Sequence, residues 1–310
     1  MEREGIILSC VGGRYTVLSD TRRYSCYARG AFRHAGIKPV CGDRVRFVPG
    51  VSFPDDGTPL PPSAGNDGYL SAICERTTVL ARPPIANVDT LLIFAAVGDP
   101  APDTVYLDRL TVCSLDAGIR PVLLFNKTDL DPEKAENLAA IYRSAGFDTV
   151  CLSAKADDPC AFDVLRDLVR GKITAMAGNS GVGKTTFFNR IFPGEQGQTG
   201  LLSQKIARGK NTTRVCELHS LSRSIWKTDG LFADTAGFSR LELSSVPEMN
   251  DMRLTECFPD FAPYLGTCRF TKCTHKTEVG CAIREAVEAG AIPPTRYQSY
   301  LALKQELQNK

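Results

Sequence analysis

The sequence predicts a multidomain chain, with a small β-barrel first, an α/β nucleotide-binding domain in the middle and a helical, metal-binding segment last. Three observations carry this. Residues 1 to about 75 alternate as short half-buried strands, and from about Val88 apolar runs alternate with helical segments. Between two such elements lies Gly178–Thr186, G-N-S-G-V-G-K-T-T, which fits G-x-x-x-x-G-K-[ST].

Composition bounds the possibilities. The 310 residues are 43% hydrophobic, enough for two or three packed cores. No apolar run approaches the ~18 residues of a membrane span, and the first residues, MEREGIILSC, lack a signal-peptide core, so a soluble, cytoplasmic protein is expected. Its twelve cysteines are scattered and come with no export signal, which favours reduced thiols apart from any that hold metal. Net charge is only +2, with 37 basic against 35 acidic residues, so a nucleic-acid partner must be argued from local patches.

In the first 75 residues the strand-like stretches are Ile6–Cys10, Tyr15–Leu18, Tyr24–Ala28, the neighbourhood of Val45 and Phe47, and Tyr69–Cys74, with the Pro- and Gly-rich run 54–68 as a loop. About five strands of this length suit a closed barrel of the OB type. Arg22, Arg23, Tyr24, Tyr27, Arg29 and Arg33 mix the cations and aromatics that bind nucleic acid, though a solvated strand face with core tyrosines would use the same residues.

Further on, Leu91–Val97 reads as a buried strand and Asp103–Ala117 as a helix with Val105, Leu107, Leu110 and Leu115 inward. Strand Pro121–Phe125, helix Pro132–Ala145, strand Thr149–Leu152 and helix Ala161–Val169 follow, leading to strand Ile173–Ala177 and a helix over 183–192. A hairpin is expected from Val215–His219 and Ser224–Ala233, and a last helix over Arg296–Leu307.

The motifs supply the chemistry. Glycines let the backbone of Gly178, Asn179, Ser180, Gly181, Val182 and Gly183 curl so that N–H groups face phosphate oxygens. Lys184 then neutralises the terminal phosphates and Thr185, followed by Thr186, is placed to hold Mg²⁺. Asn126-Lys127-Thr128-Asp129 follows a strand directly. There Asp129 can accept both donors of guanine, where adenine would present an acceptor, while Asn126 meets the base's acceptor edge and the Lys127 stem covers the ring. Ser153-Ala154-Lys155 offers a backbone N–H to the guanine carbonyl. Alone, the four-residue motif could equally be a polar loop with Asp129 capping the next helix.

Residues 193–214 are Gly-rich, polar and basic, with Lys205, Arg208, Lys210 and Arg214, and Thr212-Thr213 could sense Mg²⁺ and the γ-phosphate. An ordinary solvated loop is the alternative. Asp234-Thr235-Ala236-Gly237 would hold Mg²⁺ through water at Asp234 and bond the γ-phosphate through the Gly237 N–H. The base-reading motifs precede the phosphate loop, the reverse of the common GTPase order, so the middle domain reads as a circularly permuted P-loop GTPase. Chain order thereby ties the base-reading half to the barrel and the γ-phosphate half to the C-terminal segment. That segment holds Cys268, Cys273, His275 and Cys281, a C-x₄-C-x-H-x₅-C spacing suited to tetrahedral structural Zn²⁺. The boundaries expected are 1–78, 79–240 and 241–310.

With N-K-T-D before G-N-S-G-V-G-K-T-T, R-G-K-N-T-T at 208–213, D-T-A-G-F at 234–238 and the C-x₄-C-x-H-x₅-C set, the chain resembles the RsgA family of ribosome small subunit-dependent GTPases over essentially its whole length. The resemblance implies GTP hydrolysis stimulated by the small ribosomal subunit, binding of its rRNA and a role in late subunit maturation; a monomer is expected. Catalytic parts would be Thr213 and Gly237. Asn211 stands where the family usually has histidine, and an amide cannot take a proton from water near neutral pH. Ala236 replaces the usual proline, and Phe238 occupies the place where many GTPases have the glutamine that orients water. A GTP-regulated zinc-containing RNA-binding protein with little catalysis, or one with a non-ribosomal RNA target, is the alternative.

Overall fold

Barrel strands come first in the computed structural model, which describes residues 1–30, 32, 36–56, 58, 60, 67–81, 84–156, 158–194, 216–234, 243, 246 and 248–309. They are β1 (Arg3–Val11), β2 (Arg14–Ser19), β3 (Arg22–Ala28), β4 (Arg44–Val48), β5 (Ser52–Pro54) and β6 (Gly68–Ile73). Five of them run in the order β1-β2-β3-β6-β4, and β1 pairs back onto β4 to close the barrel. The β3–β6 pairing is parallel, with Tyr27 opposite Tyr69. Short β5 pairs with β3 outside this ring. Alternation decides which side chains enter: Ile7, Val17, Tyr24, Val45, Phe47 and Leu70 fill the interior, with the Tyr24 and Phe47 rings 5.2 Å apart. A hairpin of β7 (Val79–Ala81) and β8 (Pro84–Ala86) follows.

Next come β9 (Thr90–Ala96), α1 (Thr104–Asp116), β10 (Arg120–Asn126), α2 (Pro132–Ser144), β11 (Asp148–Cys151) and α3 (Pro159–Val169). The strands lie in the order β11-β10-β9, and every residue of β9 is buried, as a strand covered on both faces requires. Caps set the helix starts. Asp103 accepts from the Tyr106 N–H at 3.0 Å, and Asp131 accepts from the Lys134 N–H at 2.9 Å with Pro132 at the first turn.

Then follow β12 (Ile173–Gly178), α4 (Lys184–Ile191), β13 (Glu217–Ser220) and β14 (Leu231–Asp234). β12 pairs with β14 in parallel, β14 with β13 antiparallel, and β13 with barrel strand β1 through Ser9 and Glu217. The strand expected over 224–233 is shorter. Ser224 donates its hydroxyl to Leu221 O (2.7 Å) and accepts from the Trp226 N–H (3.1 Å), and these local bonds hold the 221–226 segment in turns. Phe188 and Phe192 of the α4 end pack against His219 and Phe232, with ring separations of 4.9 to 6.3 Å.

The last helices are α5 (Asp251–Glu256), α6 (Ala282–Glu288) and α7 (Pro294–Gln308), with a 3₁₀ turn at Pro259–Tyr264. No helix among the described residues is long and apolar enough to cross a membrane.

The chain forms two compact units. One contains Met1–Leu91, Asp163–Ala177 and the described part of Lys184–Ser239; the other contains Leu92–Phe162, Gly178–Gly183 and the described part of Arg240–Lys310. Packing thus crosses the connectivity read from the sequence. The barrel shares a unit with β13 and β14, and α7 packs on α1 in the unit that holds the base-reading loops.

In that second unit an ionic knot joins α7 to α1 beside the apolar contacts of Tyr300. Arg296 on α7 is 1% exposed and reaches Asp108 of α1 and Asp260 of the 3₁₀ turn, the latter at 2.8 Å. Burial works against the Arg296 charge, and the two carboxylates outweigh it. Truncation would leave both acids buried without their cation. Arg296→Ala is therefore expected to lower unfolding free energy by about 3–5 kcal/mol, measured by urea denaturation; a loss below about 1 kcal/mol would show the knot to be incidental.

Candidate functional site

Asp89 sets the start of the strand that delivers the phosphate loop. Its N–H donates to Ile173 O at 2.9 Å, and its carboxylate accepts the Ile173 N–H at 2.8 Å. All six residues of β12 are buried, so the loop leaves a fixed strand. Gly178, Gly181 and Gly183 then adopt φ of +140°, +80° and +99°. At Gly178 an added Cβ would lie 2.5 Å from Phe94 O, and at Gly183 one would lie 2.1 Å from the Asn126 amide nitrogen. The glycines are there for backbone curvature and for close approach, which is what a phosphate cradle needs. Helix α4 begins at Lys184, one residue later than the spacing suggests. Thr185 and Thr186 are exposed on its first turn and Lys184 is half-buried. Burial brings the Lys184 ammonium down to about 8.

Asn126 ends β10 and is buried, and its amide is occupied on both sides. It donates to Val182 O of the phosphate loop at 2.8 Å and accepts the Ala154 N–H at 2.9 Å. One side chain thus fixes the phosphate loop against the Ser153-Ala154-Lys155 turn. An amide nitrogen has a second hydrogen, which leaves one donor for an acceptor on a base. Because the Ala154 N–H is used internally, the amides of this turn without a hydrogen bond among the described residues are those of Ser153 and Lys155.

Lys127 has φ +63° and donates to Asp99 O, which holds its stem along the loop. The Thr128 N–H donates to Leu152 O at 3.4 Å. Asp129 is exposed and makes no hydrogen bond or ion pair among the described residues; the cap of α2 is Asp131. That removes the capping explanation for Asp129 and leaves a carboxylate with acceptor capacity to spare.

Cys268, Cys273, His275 and Cys281 come together, with ligand atoms all within 4.8 Å of one another. His275 Nδ1 is 3.6 Å from Cys268 Sγ and 3.5 Å from Cys281 Sγ. Ligands 2.0–2.3 Å from a tetrahedral Zn²⁺ would be separated by about 3.5 Å, so the spacing fits the metal that the donor set suits. Burial, with Lys304 second, lowers the His275 pKa and favours the neutral ligating form. Helix α7 supports the loop from behind: the Tyr297 hydroxyl donates to His275 O at 2.7 Å and Lys304 Nζ to Thr274 O at 2.9 Å.

The barrel residues divide. Tyr24 is core, and Arg23 is buried, donating to Pro54 O and Thr58 O at 2.7–3.0 Å. Tyr27 is exposed beside Tyr69, and the exposed Arg29 places its guanidinium 3.8 Å from the Tyr69 ring centre. Arg22 is exposed and donates to Ser52. Arg33, Lys205, Arg208, Lys210, Asn211, Thr212, Thr213, Arg214, Ala236, Gly237 and Phe238, together with the side chain of Asp234, lie outside the described residues.

Sequence reasoning missed the two internal bonds of Asn126. The motif names an amide, but only the fold reveals that Val182 and Ala154 converge on it.

The family model described as RsgA GTPase matches residues 73–244, and that of the RsgA N-terminal domain matches residues 4–51. The small ribosomal subunit biogenesis GTPase RsgA of Ruminiclostridium cellulolyticum is 38% identical over 307 residues, which cover 98% of this chain and 94% of that protein. Its counterpart in Carboxydothermus hydrogenoformans is also 38% identical, covering 98% and 97%. Among solved structures, YjeQ from Thermotoga maritima superposes with a TM-score of 0.80 at 29% identity over 100% of both chains. YloQ, described as a circularly permuted GTPase, gives 0.75 at 30% identity over 100% of this chain and 96% of its own.

A phosphate beside Lys184 favours the charged ammonium, so above pH about 8 nucleotide binding must take up a proton. GTP affinity is expected to stay flat below about pH 8 and to fall by up to about tenfold per unit above it. Fluorescent-nucleotide titration across pH checks this. Lys184→Arg, always charged, should flatten the curve, and a decline that persists in the arginine variant would assign it to another group.

Proposed function

Because the chain belongs to the RsgA GTPase family, we propose that this GTP hydrolase acts on the small ribosomal subunit, binding its rRNA and serving late in its maturation. The observation that supports a guanine nucleotide most directly is Asp129, an unpartnered carboxylate beside a loop already fixed by Asn126. Asp129 accepts the two guanine donors, the second Asn126 N–H faces the base's acceptor edge, and a free backbone N–H of the Ser153-Ala154-Lys155 turn meets the guanine carbonyl.

The residues from Gly178 to Thr186 cradle the phosphates. Lys184 neutralises their charge, and Thr185 with Asp234 holds Mg²⁺, which when bound offsets charge on the phosphates. Thr213 and Gly237 are proposed to sense the γ-phosphate. Cys268, Cys273, His275 and Cys281 hold one structural Zn²⁺. RNA engages the barrel face of Tyr27, Tyr69 and Arg29 and the basic loop 205–214. The working division is 1–78, 79–240 and 241–310, in a cytoplasmic monomer.

Phe238 and Asn211 set the expected rate. Neither can both orient a water and accept its proton, so the isolated protein should turn over slowly, and purified small subunits should raise phosphate release by about 10-fold or more. Equal turnover with and without subunits would favour the reading as a GTP-regulated RNA-binding protein. For base choice, Asp129→Asn should weaken GTP binding by about 100-fold and gain affinity for the xanthine nucleotide, read by competition titration. If guanine preference survived the change, Asp129 would not be the reader.

A further inference from the structure

The barrel meets β13 at a narrow seam. Ser9 of β1 pairs with Glu217 at a single register position, and the Cys41 thiol donates to O of the neighbouring residue, Cys216, at 2.9 Å. Two contacts on adjacent residues act as a hinge. Beyond the end of β13, Arg223 Nη1 lies 3.0 Å from Asp55 Oδ1 of the barrel, and their side chains are only 14% and 7% exposed. A second fixed point away from a hinge removes its freedom. Shelter from water also leaves this ion pair less screened than one on an open surface.

Both ends of the pair are fastened. Asp55 follows β5, which pairs with β3, and Arg23 of β3 donates to Pro54 O and Thr58 O at 2.7 to 3.0 Å. Arg23 also pairs with Asp56 at 3.1 Å and lies 3.6 Å from Asp55 itself. Asp55 is thus clamped from the strand that exposes Arg22 and Tyr27. On the other side, the Leu221 N–H donates to Gly230 O at 2.9 Å, the Ser224 N–H donates to Leu221 O at 3.1 Å, and Ser220 pairs with Leu231. Leu231 opens the four-residue strand that ends at Asp234.

We propose that Asp55 and Arg223 are positioning residues for subunit-stimulated GTP hydrolysis, their ion pair being the strut through which contact on the barrel face sets the place of β14 and of Asp234 at its end. This role rests on the reading of the chain as a subunit-stimulated GTPase whose Asp234 serves Mg²⁺. Load applied to β3 passes through the Arg23 clamp to Asp55, across the ion pair to Arg223, and through the 221–230 turns to β14. A brace of the fold is the competing role. It would support turnover equally with and without the subunit.

The test compares Asp55→Asn, Arg223→Gln, the double variant and Arg223→Lys, each as the full chain with its zinc. Either single change should cut subunit stimulation of phosphate release by about 3- to 10-fold, while basal turnover, nucleotide affinity and co-sedimentation with subunits match the parent. The double variant should do no worse than a single one, because both break one interaction, and Arg223→Lys, which keeps the charge, should retain most of the stimulation. Neutralising both partners strands neither charge, so the double variant stays informative if a single one folds poorly. Full stimulation in the double variant, losses that add, or an equal fall in basal turnover would overturn the proposal.

A separate arm removes dependence on the ribosome. In the isolated chain bound to Mg²⁺ and a non-hydrolysable GTP analogue, the amides of residues 231–234 should exchange hydrogen about 3- to 10-fold faster in the double variant, with those of β2 at the parent rate. Faster exchange there, with no stimulation by subunits even in the parent, would retain the strut and reject the ribosomal reading. Parent-like exchange together with parent-like stimulation would do the reverse.

Discussion

Much of the candidate nucleotide site hangs on the side chain of Asn126, buried at the end of β10, whose oxygen and nitrogen each hold a different loop. Phosphate loops are irregular backbone, and irregular backbone needs something to satisfy its carbonyls and fix its position. Here Val182 O is satisfied by the Asn126 amide nitrogen, and the same amide's oxygen takes the Ala154 N–H. Losing the amide would orphan a donor and an acceptor in two loops at once, each at a cost of about 1–3 kcal/mol if no water replaced it. Gly183 belongs to the same constraint, since any side chain there would occupy the space of the amide nitrogen. Residues read from sequence as separate binding groups are therefore one mechanical assembly.

Much of this was legible in the residues, and the exceptions share a cause. The barrel, the α/β middle and the metal set follow from alternation, apolar runs and ligand spacing, which are local properties. Local spacing also pointed to the inward side of α1, where Leu107 and Leu110 are buried as expected. It did not foresee that Asp108, Thr111 and Ser114 are buried too, because their cover is α7, which lies nearly two hundred residues away in the chain. Arg296 is buried through the same long-range contact. It pairs with Asp108 and Asp260 and lies among the rings of Tyr142, Phe147 and Phe258. The aromatic and basic run of β3 divides for a simpler reason, since alternate side chains point to opposite faces and Tyr24 falls inward while Tyr27 falls outward.

Burying the ion triad is expensive, and an apolar substitute could hold α7 to α1 at less cost. What the triad adds is selectivity of docking. Two carboxylates from different segments converge on one guanidinium, so α7 can seat in a single register, and that register also places Tyr297 and Lys304 under the metal loop. The metal loop, in turn, is closed by its own hydrogen bond from the Arg269 N–H to Gly280 O.

Chain order and packing order differ, and the difference changes which parts can influence one another. Covalently the barrel leads into β9 and the base-reading loops, and the segment after β14 leads into the metal-binding helices. In space β1 extends the β14-β13 pair, Arg223 after β13 is 3.0 Å from Asp55 of the barrel, and Cys41 donates its thiol to Cys216 O at 2.9 Å. A load on the barrel is thus delivered first to the strands that end at Asp234. The metal-binding helices bear instead on α1, in the unit that also holds Asn126 and the phosphate loop. Permutation accounts for this crossing: cutting a GTPase sheet between its base-reading and phosphate-sensing halves leaves each half tied to one neighbour by the chain and free to pack on the other. The barrel and the metal loop therefore bear on different halves of the nucleotide domain, the barrel through hydrogen-bonded strands and the metal loop through the helix that braces it.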